Sequence, residues 1–317
     1  MTIIIFHIWK GGEIIMAILD TTTDAVFIPT IVSQGCITRM QAYLNLAKTV
    51  SKWTDWSPAT VGLTLQIPKT GAVSVNDKAS GSAFTQQGPT GTNASVTLNK
   101  HKEVTFAIDD VDKLAANQDT LMRYANDGAM ALSEAIESDL LALHTSMTNT
   151  DTWNRTSATT IDASMLRIRK FFTDQKVPTT EAKHLYVDST IFNDLLGTDK
   201  YSRYDARGNG SAITDGIVIK TYGLEIRESQ LVPTTGSPVA YHNVAYTRNG
   251  IILASRPLPN PVGFGGNFSN VIDPEVGVAV RTLFWFNGDK GQHQLTIEVL
   301  YGVAVIDNRR VLEVESF

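Results

Sequence analysis

VGLTLQI (residues 61–67) and TLNKHKEVTFAIDDVD (residues 97–112) are the two limbs on which the fold reading rests. In the first, Val61, Leu63, Leu65 and Ile67 alternate with Gly62, Thr64 and Gln66, the period of two that a half-buried strand demands. The second keeps the phase, with Val96, Leu98, Val104, Phe106 and Ile108 on one face. Lys100 and Lys102 interrupt that face, which argues for an exposed middle. Between the limbs, from Asn76 to Ser95, Phe84 is the only large apolar residue among Gly, Ser, Thr, Asn and Gln. Such a composition cannot bury a core of its own. A connection this long is either disordered or held by something outside the domain, and a partner chain is the candidate.

Helical periodicity follows at once. Asp109, Asp110 and Asp112 are placed to cap free N–H groups and to complement the positive end of a helix dipole. Leu121, Ala125, Gly128, Leu132, Ile136, Leu140, Leu143 and Met147 then step by threes and fours, with Asp119, Arg123, Asp127, Glu134 and Glu137 on other faces. The spacing predicts one helix over Gln118 to Met147, about 45 Å long. Ordinary helices average about a dozen residues.

A chain of 317 residues with 43% hydrophobic content can bury a large core. Its 27 basic and 32 acidic residues give a net charge of -5, so the balance carries no electrostatic footprint for tight nucleic-acid binding. Cys36 is alone, which excludes an intramolecular disulfide framework. Thr2 to Trp9 is too short to span a bilayer and lacks the basic flank of a secretory signal, so no membrane partner is expected. Lys10-Gly11-Gly12-Glu13 reads as the codons AAA GGA GGT GAA of a ribosome-binding site, with Met16 close behind. Residues 1–15 are therefore expected to be a mis-annotated leader, with translation starting at Met16.

The remaining pattern is mixed. A short helix is expected around Ile31 to Leu46, a polar break over Thr148 to Thr160, and a helix capped by Asp162 that stops before Pro178. His184 to Val187 reads as a strand, Ser189 as the cap of another helix, and Gly197 to Asp215 as a second long polar loop. Ile217 to Ile219 and Leu224 to Ile226 read as strands, and Val239 to Leu253 as a hairpin turning at Asn249-Gly250. Pro257 to Phe268 reads as a linker, followed by two alternating strands through Val305.

No pattern of residues carries chemistry. The histidines at 7, 101, 144, 184, 242 and 293 are scattered, none paired at i, i+4 with a Glu as a zinc helix needs, so each is read as structural and no metal site is expected. Asp109 to Asp112 lacks the glycine and distal Glu of a calcium loop. Gly263-Phe264-Gly265-Gly266 follows a proline linker rather than a strand, and is read as a joint. Neither a P-loop nor a GxSxG elbow occurs. Trp53 and Trp56 are read as packing anchors. No catalytic residue or cofactor is expected, and the chain is read as a non-enzyme.

The order of elements resembles the major capsid proteins of tailed double-stranded DNA bacteriophages, with the Hong Kong 97 type shell fold. Thr97 to Lys102 followed by Phe106 to Asp112 looks like the loop-to-spine passage of that family, and Leu300-Tyr301-Gly302-Val303-Ala304-Val305 like its closing strand. The resemblance implies an α+β fold with an N-terminal arm (16–58), an extended β-hairpin loop (59–109), a peripheral domain with a long spine helix (110–163), an axial domain (164–257) and return strands of the peripheral domain (258–317). It implies a subunit that self-assembles into hexamers and pentamers of an icosahedral virion shell, built in the host cytoplasm around double-stranded DNA held close without specific binding. A separate scaffolding protein, a portal and a decoration protein are the other implied partners. Inter-subunit contacts are expected at Lys78, Phe84, Lys100, Lys102, Arg203 and Arg207. An encapsulin-type nanocompartment shell enclosing a cargo enzyme is the alternative.

Overall fold

The computed structural model describes residues 7–10, 13–16, 21–53, 62–70, 73–88, 91–109, 119–202, 220–261, 263 and 265–317. The chain forms two compact units and passes between them repeatedly. One comprises Met1–Lys48, Lys100–Glu137 and Ser255–Tyr301; the other comprises Thr49–Asn99, Ser138–Ala254 and Gly302–Phe317.

The first unit contains a small separate hairpin of β1 (His7–Lys10) and β2 (Glu13–Met16), followed by α1 (Thr21–Tyr43) and α2 (Asn45–Thr49). Its sheet places β14 (Asn267–Asp273), β15 (Val278–Asn287), β16 (Gln292–Val305) and β6 (Lys100–Asp109) side by side, each antiparallel to the next. The β15–β16 turn is built by Asn287, whose side chain accepts from the Asp289 N–H, and by Gly291 at φ +63, a conformation that favours glycine. α1 lies across β14 and β15 and buries Val32, Cys36 and Met40, spaced by four on one helical face. A buried polar link holds α1 to the sheet, Ser33 donating to Thr282 at 2.9 Å, and another holds α2 to the long helix, the Leu46 N–H donating to Glu137 at 2.7 Å.

The long helix, α3 (Asp119–Leu141), buries Ala125, Ala129, Leu132, Ile136 and Leu140. At each large apolar position burial contributes about 2 kcal/mol. Gly128 is on the same face because a Cβ there would stand 2.9 Å from the Phe106 ring. The helix is shorter than the periodicity implied, since Ala142–Ser146 tightens into a 3-10 turn. The acidic residues 110 and 112 lie outside the described residues.

The second unit is organised by one sheet in the order β7 (Thr150–Thr152), β17 (Val311–Ser316), β12 (Ala240–Thr247), β8 (Lys183–Val187), β10 (Leu224–Glu228) and β9 (Lys220–Thr221), with β11 (Thr234–Thr235) also on β12. Helices α4 (Ala158–Asp174) and α5 (Ser189–Leu196) contribute to the same core, in which Trp153, Met165, Ile168, Phe172, Leu185, Leu195 and Leu312 are buried together. A short helix, α6 (Asp199–Ser202), follows α5. Asp188 links cap to sheet: one carboxylate oxygen accepts from the Thr190 N–H and the other from the Ser316 hydroxyl, while its own N–H donates to Asn243.

Several sequence expectations change here. α4 is capped by Ser157 in a reciprocal box with Thr160, whereas Asp162 sits inside the helix with its carboxylate committed elsewhere. Asp188, rather than Ser189, caps α5. Asn249-Gly250 turns the chain but makes no hairpin, because β12 pairs with β8 and β17 while β13 (Ile251–Ser255) pairs in parallel with β3 (Ser51–Trp53). Strand β7 lies in the expected polar break, and β14 begins where the linker was expected to end. The Ile31–Leu46 helix is replaced by the longer α1 followed by α2. Trp53 is 39% exposed and is no buried anchor; Trp56 and residues 217–219 lie outside the described residues.

Gly302 carries a specific packing duty. A Cβ there would stand 2.2 Å from the Thr97 carbonyl oxygen, so backbone meets backbone with no room for a side chain. Gly302→Ala is expected to cost about 1–3 kcal/mol, read as a lower urea midpoint with unchanged slope. An unchanged midpoint contradicts this close approach.

Candidate assembly surfaces

The first quoted limb belongs to a hairpin of β4 (Thr64–Thr70) and β5 (Gly91–Thr97), registered from Thr64↔Thr97 to Thr70↔Gly91, whereas the second quoted limb touches it only at Thr97 and otherwise continues as β6. The hairpin's base is tied down: Leu65, Val96 and Leu98 are buried, and the Leu98 N–H donates to the Leu63 carbonyl at 2.7 Å. The return limb breaks at Leu98-Asn99 and resumes as β6, so the two limbs do not pair along their whole length.

Residues 73–88 form the tip and expose what a folded domain normally hides. Val73, Val75 and Phe84 are 81%, 97% and 81% exposed. The tip has internal order nonetheless. The Gln87 side chain accepts from the Ser74 N–H and donates to the Ser74 carbonyl, copying the two-bond pairing of a strand neighbour. Lys78 sits 4.3 Å above the Phe84 ring centre, a contact of about 0.5–1 kcal/mol when exposed. Two of the expected contact residues are thus brought together at the tip.

Lys100 and Lys102 belong elsewhere. Both are on β6, half-buried, opposite Tyr301 and Val299 of β16, and share a face with Val104, Phe106 and Ile108. The lysines therefore do not mark an exposed mid-arm. Nearby, the buried Glu298 accepts from Arg281 at 2.5 Å and pairs with His101 at 2.8 Å. Arg203 and Arg207 lie outside the described residues. The chain on either side of residues 203–219 is held by one carboxylate: Asp162 accepts from Tyr201 at 2.5 Å, Tyr222 at 2.6 Å and Lys200 at 2.9 Å.

Cys36 is buried with its Sγ 3.6 Å from the Ala125 carbonyl, and burial pushes the thiol up to about 12, so it has no nucleophilic character near neutrality. Another cluster has no sequence signal. His144 from the 3-10 turn, His242 from β12 and Glu313 from β17 meet in the interior, the imidazoles stacked at 4.2 Å and each placing Nδ1 on the same Glu313 oxygen, at 2.9 Å and 2.6 Å. Only the folded sheet unites them. Among the described residues, no helix is long and apolar enough to cross a membrane.

The chain is α+β, with an extended hairpin that presents Val73, Val75 and Phe84 to solvent and a 23-residue helix. Residues 40–314 match the family described as phage capsid protein, and the chain belongs to that family. No curated protein matches it. Among solved structures it is similar to one from Mycobacterium phage Che8 (16% identity, TM-score 0.61, covering 86% of this chain and 87% of that one). It is also similar to the capsid of cyanophage P-SCSP1u (13%, TM-score 0.63, 86% of each) and to the mature capsid of bacteriophage PhiM1 (13%, TM-score 0.59, 85% and 86%). The fold is the Hong Kong 97 type, and the protein is a phage major capsid protein: a structural, self-associating component of the virion shell. The encapsulin reading is not favoured, since the family match is to phage capsids.

The Asp162 cluster has a defined pH response. Burial opposes its charge, but hydrogen bonds from Tyr201, Tyr222 and Lys200 outweigh burial and hold the carboxyl below its usual value. A depressed carboxyl stabilises the fold above the unfolded value of about 3.9, and that stability is lost as pH falls through the lower folded value. Asp162→Asn is expected to cost about 1–2 kcal/mol at pH 7, with the gap to the parent protein closing below about pH 4. Denaturant titrations at pH 7 and pH 3 test this; a gap independent of pH contradicts it.

Proposed function

We propose that copies of this chain close as hexamers and pentamers into an icosahedral shell around double-stranded DNA, and that the hairpin tip at residues 73–88 is completed by a neighbouring copy. The exposure of Val73, Val75 and Phe84 on an internally ordered tip carries this reading. Covering each of those side chains contributes about 2 kcal/mol, repeated at every subunit, and closed symmetric assembly is the ordinary way to bury such a surface. Lys78 and Phe84 are then contact residues. Lys100 and Lys102 stay candidates at the root of the loop, and Arg203 and Arg207 in the loop of the axial domain.

The finer organisation follows the same reading. Residues 16–58 serve as the arm, 59–109 as the extended loop, 110–163 and 258–317 as the peripheral domain, and 164–257 as the axial domain. The chain has no enzymatic role, assembles in the host cytoplasm, and works with a separate scaffolding protein, a portal and a decoration protein.

Replacing residues 75–86 by a short Gly-Ser turn tests the central part, because it spares β4, β5 and the Ser74–Gln87 clamp. The variant is expected to keep the parent's circular dichroism and thermal midpoint as a free subunit, while negative-stain microscopy shows a loss of closed shells of at least about tenfold, the equivalent of about 1.4 kcal/mol in the assembly equilibrium. Shells formed at the parent's yield overturn the role given to the tip.

A further inference from the structure

We propose that His144, His242 and Glu313 form a binding site for one divalent transition cation of the zinc type. The three donor atoms come from three elements, lie within 4.8 Å of one another and are all buried. Their convergence is built into the sheet. In the β12–β17 register Glu313 faces Val244 and His242 faces Glu315, so the His242 and Glu313 side chains are diagonal neighbours on one face. His144 enters from the 3-10 turn after α3 and stacks on His242.

Charge makes the cluster unusual. Glu313 is 6% exposed, and its ion-pair partners among the described residues are these two imidazoles alone. A carboxylate taken out of water needs a compensating positive charge. Here that charge is either a proton shared with an imidazole or a bound cation. Three features favour the cation. Both imidazoles direct the same nitrogen, Nδ1, at one carboxylate oxygen. Two imidazole nitrogens and a carboxylate oxygen make a donor set that zinc accepts, with a fourth position left for water. The Thr235 hydroxyl, 2.6 Å from His242 Nε2, holds that ring with Nδ1 inward, as an outer partner does for a metal-ligating histidine. Metal–nitrogen distances of about 2.0–2.1 Å set tetrahedral ligands about 3.3 Å apart, so binding requires Glu313 to draw back and one imidazole to turn out of the 4.2 Å stack, which brings both in-plane Nδ1 lone pairs onto one point. A bound cation would join the turn after α3 to β12 and β17.

The test uses the full chain stripped with EDTA and titrated with zinc by calorimetry and with cobalt(II) by visible absorption. One equivalent per chain is expected, with sub-micromolar zinc affinity and the d–d bands of a four-coordinate cobalt site. In Glu313→Gln and in His144→Asn, zinc affinity is expected to fall at least about 100-fold. No saturable uptake by the parent protein overturns the proposal and leaves a proton as the balancing charge. Unchanged uptake in both variants overturns it too, by placing the metal elsewhere. The parent titration decides the matter even where a variant fails to fold.

Discussion

The antiparallel register from Lys100↔Tyr301 to Asp109↔Gln292 is the constraint on which the rest of the molecule depends. In the chain β6 lies between the extended hairpin and the long helix, and its pairing with β16 ties it into the sheet of the first unit. One face of β6 supplies Val104 and Phe106 beneath Gly128, and the Phe106 ring lies 5.5 Å from Tyr124. A one-residue slip would turn that face away from the helix and undo the contact.

Local signals in the sequence were sufficient for the elements that need no distant partner. The alternation through Leu65 and Ile67, and the spacing through Ala125, Leu132 and Ile136, state a strand and a helix outright. Partner choice was less legible. Asn249-Gly250 carries good turn chemistry, yet whether the flanking strands pair together is decided by β17, β8 and β3, and the competing pairings win. Caps were misplaced for a related reason: Asp162 is a good cap by type, but its carboxylate is engaged by Tyr201 and Tyr222, and Ser157 closes the box instead. The His144, His242 and Glu313 cluster had no signal at all. Glu313 lies 169 residues from one histidine and 71 from the other, and only a completed sheet brings them together.

Two kinds of incompleteness coexist in this subunit and call for different partners. The hairpin tip is mostly polar but exposes Val73, Val75 and Phe84, and in the proposed shell a neighbouring copy covers them. The His-Glu cluster is polar and buried, so what completes it is a charge. Family membership supports the proposal for the first, because a capsid subunit is one part of a repeating shell. The second belongs to the fold of this particular chain.

Amide hydrogen exchange at residues 73–88, compared between dissociated subunits and assembled particles, tests the central claim most directly. Fast exchange is expected in the free subunit and protection in the particle, with the buried α3 segment around Leu132 and Ile136 slow in both. Equal exchange of the tip in both states would contradict it, because a surface covered by a neighbour cannot remain open to solvent.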